Sequence, residues 1–237
     1  IDRDGTDAFA PNGLAVVAAG GSALRVSPDV AFDNSTGETV VFWTDLNSTQ
    51  SMSGVSGQRF SDAGARLWGL AGSTVVPLGS PSRSFIRAEY DAGEAVVSYL
   101  DQPTPASGTF VRVARLDASG APVWAGSPVT ASTDAGDKGR LQSAMDTAGR
   151  VILAWSDDRA GDSDIYGQAL NADGSLGGEL ADCPGDCDMS GSVDFGDLVT
   201  MLGEFGNPGG AGCDADGSGV VNFGDLVAAL ALFGPCD

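Results

Sequence analysis

Three glycines, Gly37, Gly93 and Gly149, stand 56 residues apart, and each opens the same local pattern. An apolar run follows, ends on an aromatic residue (Trp43, Tyr99, Trp155), and gives way after one residue to an aspartate (Asp45, Asp101, Asp157). A second set repeats with it: RFSDAG (59–64), RLDASG (115–120) and ALNADG (169–174) each place a glycine turn behind an apolar residue. Trp68 and Trp124 follow Gly64 and Gly120 at one distance, and IDRDG at the start of the chain is a fourth copy of the turn. A period of this size marks repeated supersecondary units, which bury a continuous core only by stacking on one another.

Each unit holds four short runs of strand-forming residues bounded by Gly, Asp, Ser or Pro; in the first they are VAFD, ETVVFW, VSGQRF and TVVPL. One four-stranded sheet per unit is a β-propeller blade, so the expected fold is mainly β over residues 1–180, with a small α-helical domain at 181–237. The repeats run from about 27–80, 81–137 and 138–180, after a partial one at 1–26. Residue 180 falls after a third strand, and residues 6–26 read as the missing fourth. Two accounts stay open. The chain is the tail of a longer propeller, or its N-terminal segment completes the open blade, in the same chain or in a neighbour. The neighbour version builds a homo-oligomer or filament through an unpaired sheet edge. AWSDDRAGDSDIYGQALNADG resembles a secreted bacterial propeller-like repeat at Trp155, Asp157, Asp164, Ile165 and Tyr166.

The repeated aromatics are expected to pack between blades, and the repeated aspartates to cap tight turns. Without histidine no Ser-His-Asp triad can form. Acid pairs such as Asp157–Asp158 carry no mark of a glycosidase beyond their proximity in sequence.

Charge divides the chain. Residues 181–237 hold ten Asp/Glu and no Lys or Arg, within a net charge of −20. Nucleic acid is excluded as a partner, because phosphate binding needs a basic footprint. No apolar run is long enough to span a bilayer. All four cysteines (Cys183, Cys187, Cys213, Cys236) lie in the acidic segment. With no histidine and no paired CxxC, they read as a disulfide framework in an extracellular, secreted or cell-surface protein, with all three pairings open.

The same segment carries DCDMSGSVDFGDLVTMLGEFG from 186 and DADGSGVVNFGDLVAALALFG from 214. Both fit the EF-hand-type loop, which supplies oxygen ligands at positions 1, 3, 5, 7, 9 and 12, with glycine at 6. In the first loop these are Asp186, Asp188, Ser190, Ser192, Asp194 and Asp197, with Gly191 at the turn. In the second they are Asp214, Asp216, Ser218, Val220, Asn222 and Asp225, with Gly219. Position 7 ligates through its backbone carbonyl, so Ser192 and Val220 are equivalent. Two Ca2+ sites follow, the first tighter because it has four carboxylates against three. Each loop leads into a helix: Leu198, Val199, Met201, Leu202 and Phe205, and again Leu226, Val227, Leu230 and Phe233, form stripes expected to build a shared core before Gly206 and Gly234.

This pattern resembles the type I dockerin from about Cys183 to Cys236. The resemblance implies calcium-dependent folding and docking onto a cohesin-like protein. Phe195–Gly196 and Phe223–Gly224 stand where such modules usually carry polar docking residues, which leaves a homotypic partner as the rival. The expectation is a non-catalytic extracellular structural or binding protein, attached or assembled through its calcium module. The alternative is the C-terminal fragment of a secreted carbohydrate-active enzyme or glycan-binding propeller that docks to a scaffold.

Overall fold

A computed structural model describes residues 13–18, 24–80, 82–91, 93–134, 136–177, 183–188, 190, 192–207 and 213–236. The chain divides into two compact units, Ile1–Leu176 and Gly177–Asp237.

The first unit is three antiparallel four-stranded meanders. β1 (Leu24–Phe32), β2 (Thr39–Leu46), β3 (Ser53–Phe60) and β4 (Ser73–Ser80) form the first. β5 (Ser82–Asp91), β6 (Glu94–Gln102), β7 (Phe110–Leu116) and β8 (Val129–Ser132) form the second. β9 (Lys138–Met145), β10 (Val151–Asp157), β11 (Asp164–Leu170) and the two-residue β12 (Leu176–Gly177) form the third. The third repeat therefore has its fourth strand, contrary to the expectation that it stops after three. Residues 24–26 of the supposed completing segment belong to β1, residues 13–18 form no strand, and 6–12 and 19–23 lie outside the described residues.

Two cores join the sheets. Val40, Phe42, Val55 and Trp68 of the first repeat bury against Ile86, Ala88, Tyr90 and Val97 of the second. Val96, Leu100, Val113 and Trp124 of the second bury against Leu141, Leu153, Trp155 and Leu170 of the third. The apolar alternation of β6 supplies both, because successive side chains of a strand point to opposite faces. The two turn tryptophans act as inter-sheet clamps. Trp68 Nε1 donates to the Ala118 carbonyl (3.1 Å) and Trp124 Nε1 to that of Ala172 (2.8 Å), each in the following repeat. Gly174 sits under this clamp at φ +85°, and a Cβ there would lie 2.7 Å from the Trp124 ring.

Of the repeated aromatics, Tyr99 and Trp155 pack in the cores between sheets as expected, and all three share a further feature. Trp43, Tyr99 and Trp155 each face a bulge in the neighbouring inner strand: Ser27–Pro28, Phe85–Ile86 and Arg140–Leu141 stand two against one. Asp157 caps a turn as anticipated, accepting from the Arg159 N–H (3.0 Å), and all three aspartates also lie across the ladder from a cation. Arg25 faces Asp45 (3.7 Å), Arg83 faces Asp101 (3.2 Å) and Lys138 faces Asp157 (3.1 Å). Other turns are capped by Asp33, Asp117, Asp146 and Asp173, whose carboxylates accept nearby backbone N–H groups.

Burial by itself would raise the Asp157 carboxyl, but Arg159, the Trp155 indole and Lys138 outweigh it and hold the group well below 3.8. A depressed folded value contributes stability above the unfolded one and loses it as pH falls. Unfolding of the repeat unit, followed by tryptophan fluorescence in urea, is therefore expected to become easier below about pH 4. Asp157→Asn should flatten that dependence; an unchanged pH slope would refute the assignment.

In the second unit, β13 (Ser192–Val193) pairs antiparallel with β14 (Gly234–Pro235), and between them lie α1 (Phe195–Gly203) and α2 (Phe223–Ala231). Both helices stop short of the glycines expected to end them, at C-caps Glu204 and Leu232. The disulfides are Cys183–Cys236 and Cys187–Cys213, closing spans of 53 and 26 residues. By loop-closure entropy each contributes about 3–4 kcal/mol. That matters because the core is small: Val193, Met201, Val221 and Ala229, with Cys213.

The helical stripes do not form the shared core expected of them. Met201 is buried and Leu198 and Leu226 are half-buried, but Val199, Leu202, Phe205, Val227, Leu230 and Phe233 are exposed. Among the described residues no helix is long and apolar enough to cross a membrane.

Candidate metal centre

Each acidic loop ends by capping the helix it precedes. Asp194 accepts from the Gly196 N–H at the start of α1, and Asp197 returns the bond by accepting from the Asp194 N–H (2.7 Å). Asn222, Gly224 and Asp225 repeat this at α2. Such a reciprocal box satisfies helix donors that have no intrahelical partner.

The box also aims the last carboxylate back into the loop. Asp197 accepts from the Asp188 N–H and Asp225 from the Asp216 N–H, both at 3.0 Å. Both carboxylates are fully buried. Burial would raise their pKa, yet the backbone amides that face them hold both below the ordinary carboxylate value.

These contacts gather positions 1, 3 and 12 in each loop. Carboxylate oxygens of Asp186, Asp188 and Asp197 lie within 4.8 Å of one another, as do those of Asp214, Asp216 and Asp225. The hydroxyls of Ser190 and Ser218 reach the carbonyls of Ser192 and Val220 at 3.1 and 3.2 Å, which brings positions 5 and 7 together. At position 9, Asp194 and Asn222 are engaged as N-caps. Gly191 lies outside the described residues. Gly219 takes φ +88° and donates to Asp214 (2.8 Å).

Whether a hard cation suits these residues is decided by charge and by one orphaned atom. Segment 181–237 has no Lys or Arg to offset the clustered carboxylates. Asp214 Oδ1 is buried without a hydrogen-bond partner. A buried anionic oxygen left unpaired is costly, and a bound cation is the remedy that fits an all-oxygen donor set.

The Phe-Gly pairs gain a physical reason here. A Cβ at Gly196 would lie 2.8 Å from Asp188 Oδ2, and one at Gly224 would collide with Asp216 Oδ2. Glycine at position 11 makes room for the carboxylate at position 3. In the sequence alone these glycines read only as an absence of polar docking residues. The signal available was their recurrence beside Asp197 and Asp225.

No family model matches the chain, and neither does any curated protein. Among solved structures it is similar to an endo-arabinase from Bacteroides thetaiotaomicron, with 16% identity over 61% of this chain and 56% of that one and a TM-score of 0.43. It is also similar to a GH93 alpha-L-arabinofuranosidase of Fusarium graminearum, with 15% identity over 63% and 47% and a TM-score of 0.43. A GH43 endo-arabinanase from Bacillus licheniformis matches with 11% identity over 67% and 58% and a TM-score of 0.37. The chain spans about half the length of these structures. All three are glycoside hydrolases, and this corrects the expectation of a protein with no enzymatic role. Both disulfides accord with an extracellular chain.

Proposed function

We propose that the C-terminal unit is a dockerin-like module that binds two Ca2+ ions and attaches a secreted, carbohydrate-active or glycan-binding propeller segment to a partner protein. The observation that carries the calcium reading is the pair of matching carboxylate triads, each closed by a buried aspartate that also caps a helix. Asp186, Asp188, Asp194 and Asp197, with the Ser190 hydroxyl and Ser192 carbonyl, would hold the first ion. Asp214, Asp216, Asn222 and Asp225, with the Ser218 hydroxyl and Val220 carbonyl, would hold the second. Bound calcium offsets mutual repulsion of the carboxylates and locks each loop to its helix.

Attachment is read from the helix faces. Phe195 and Phe223 are 72% and 71% exposed, and Val199, Leu202 and Phe205 repeat as Val227, Leu230 and Phe233. A doubled apolar face on so small a unit is the mark of an interaction surface. A cohesin-like partner with a basic rim suits it better than a second copy, since two such acidic units repel each other.

Isothermal titration of the full chain with CaCl2 tests the metal reading. Two sites are expected, the tighter one lost in Asp197→Ala and the weaker in Asp225→Ala. A titration with no heat on a folded chain, or identical losses from both variants, would overturn it.

A further inference from the structure

The inner strands of the repeat unit share a backbone conformation at the bulges that face Trp43, Tyr99 and Trp155. β5 lies against both β1 and β9, and each of the three carries its bulge at the same register. The first bulge residue in each takes a left-handed conformation: Ser27 at φ 51°, Phe85 at φ 53° and Arg140 at φ 53°. None is glycine. A bulky residue held there is strained, and strain of this kind collects at ligand sites. Phe85 is strained and also 40% exposed, so burial of its ring does not compensate.

A cleft of about 320 Å3 opens at this point, lined by Ser27, Pro28, Ser84, Phe85, Ile86 and Arg87. Its cation is unusual for this chain. Most Lys and Arg side chains of the unit are ion-paired, as at Arg25, Arg83, Arg112 and Lys138. Among the described residues Arg87 has no carboxylate partner; its guanidinium donates to the Ile86 carbonyl (2.7 Å) and to Gln142 Oε1 (3.3 Å). Those two bonds orient the group and leave its positive charge uncompensated. Arg140, at the equivalent bulge of β9, likewise has no carboxylate partner among the described residues. An exposed aromatic face beside an oriented, unneutralised guanidinium suits a ring that carries an anion.

We infer that the cleft between the bulges of β1 and β5 is a subsite for an acidic saccharide, with Phe85 under the sugar ring and Arg87 on a uronate carboxylate. This rests on the carbohydrate reading above and narrows it to a ligand class.

The test is titration of the full chain with trigalacturonate and, separately, with its fully methyl-esterified, neutral form. Saturable binding of the acid is expected, with the ester and the Arg87→Gln variant each weaker by about tenfold or more. Phe85→Gly should weaken binding of the acid by about 3–10-fold, yet raise the melting temperature of the repeat unit by about 2–4 °C by releasing the left-handed strain. Loss of affinity with gain of stability is a combination that a purely structural Phe85 would not produce. Equal affinity for acid and ester would overturn the acidic class while the carbohydrate reading survived. Binding of neither would remove the cleft as a saccharide site, and Phe85→Gly binding as well as wild type would refute the role of the ring.

Discussion

Stripping calcium with EGTA is expected to loosen the C-terminal unit while the repeat sheets stay folded. At a free concentration 100 times its dissociation constant, each ion adds about 2.7 kcal/mol to the stability of the folded state. Two sites then contribute about 5 kcal/mol, comparable to the whole stability of a small domain. Without the ions, the fully buried Asp197 and Asp225 face their neighbouring carboxylates with no counter-charge. The disulfides prevent full expansion, so the expected product is a loosened, cross-linked unit. The two units report separately, because all four tryptophans (Trp43, Trp68, Trp124 and Trp155) lie in the repeat part. Amide exchange across 192–232 should accelerate on chelation while tryptophan emission stays constant. Unchanged exchange would count against a structural role for calcium.

Trp124→Ala should be the most damaging single change in the repeat unit. The indole is buried between the second and third sheets, donates to Ala172 and lies under the Arg115 guanidinium, 5.6 Å from the ring centroid. Truncating a buried tryptophan costs about 3–5 kcal/mol through lost burial and the cavity left behind. In a unit of this size that lowers the melting temperature by about 10 °C or more. Gly174→Ala should attack the same junction from the other side, because its Cβ would intrude on the ring and its backbone is left-handed. Since both changes act on one contact, the double variant should lose less than the two single losses combined. Full additivity would mean the clamp is not the shared cause.

Much of the architecture was legible because repetition is itself evidence. The recurrence of Gly37, Gly93 and Gly149 locates all three sheets, and the spacing within the acidic loops picks out the carboxylates that the fold clusters. The partners of the repeated aspartates were not legible. Arg25, Arg83 and Lys138 differ in identity and spacing, and only strand register brings them opposite Asp45, Asp101 and Asp157. The bulges escaped notice for a related reason. Ser27, Phe85 and Arg140 share a backbone conformation and no side-chain chemistry. Helical periodicity located the apolar stripes correctly and misjudged their fate. A 3.6-residue period says which residues share a face; it does not say whether anything covers that face.

The bridge between Cys183 and Cys236 has a mechanical meaning. It joins the segment that enters the C-terminal unit to the residues just beyond α2, so both helices lie inside one covalent ring. If a partner grips the helix faces and the repeat unit is pulled by flow or by a moving surface, tension enters at Cys183. There it divides between two backbone routes, one through the first acidic loop to α1 and the other across the sulfurs to α2. Neither route can lengthen without limit, because each is closed by the other. If the unit is the calcium-loaded anchor proposed above, such a ring would let it lose its ions for a moment under load and still hold its thread.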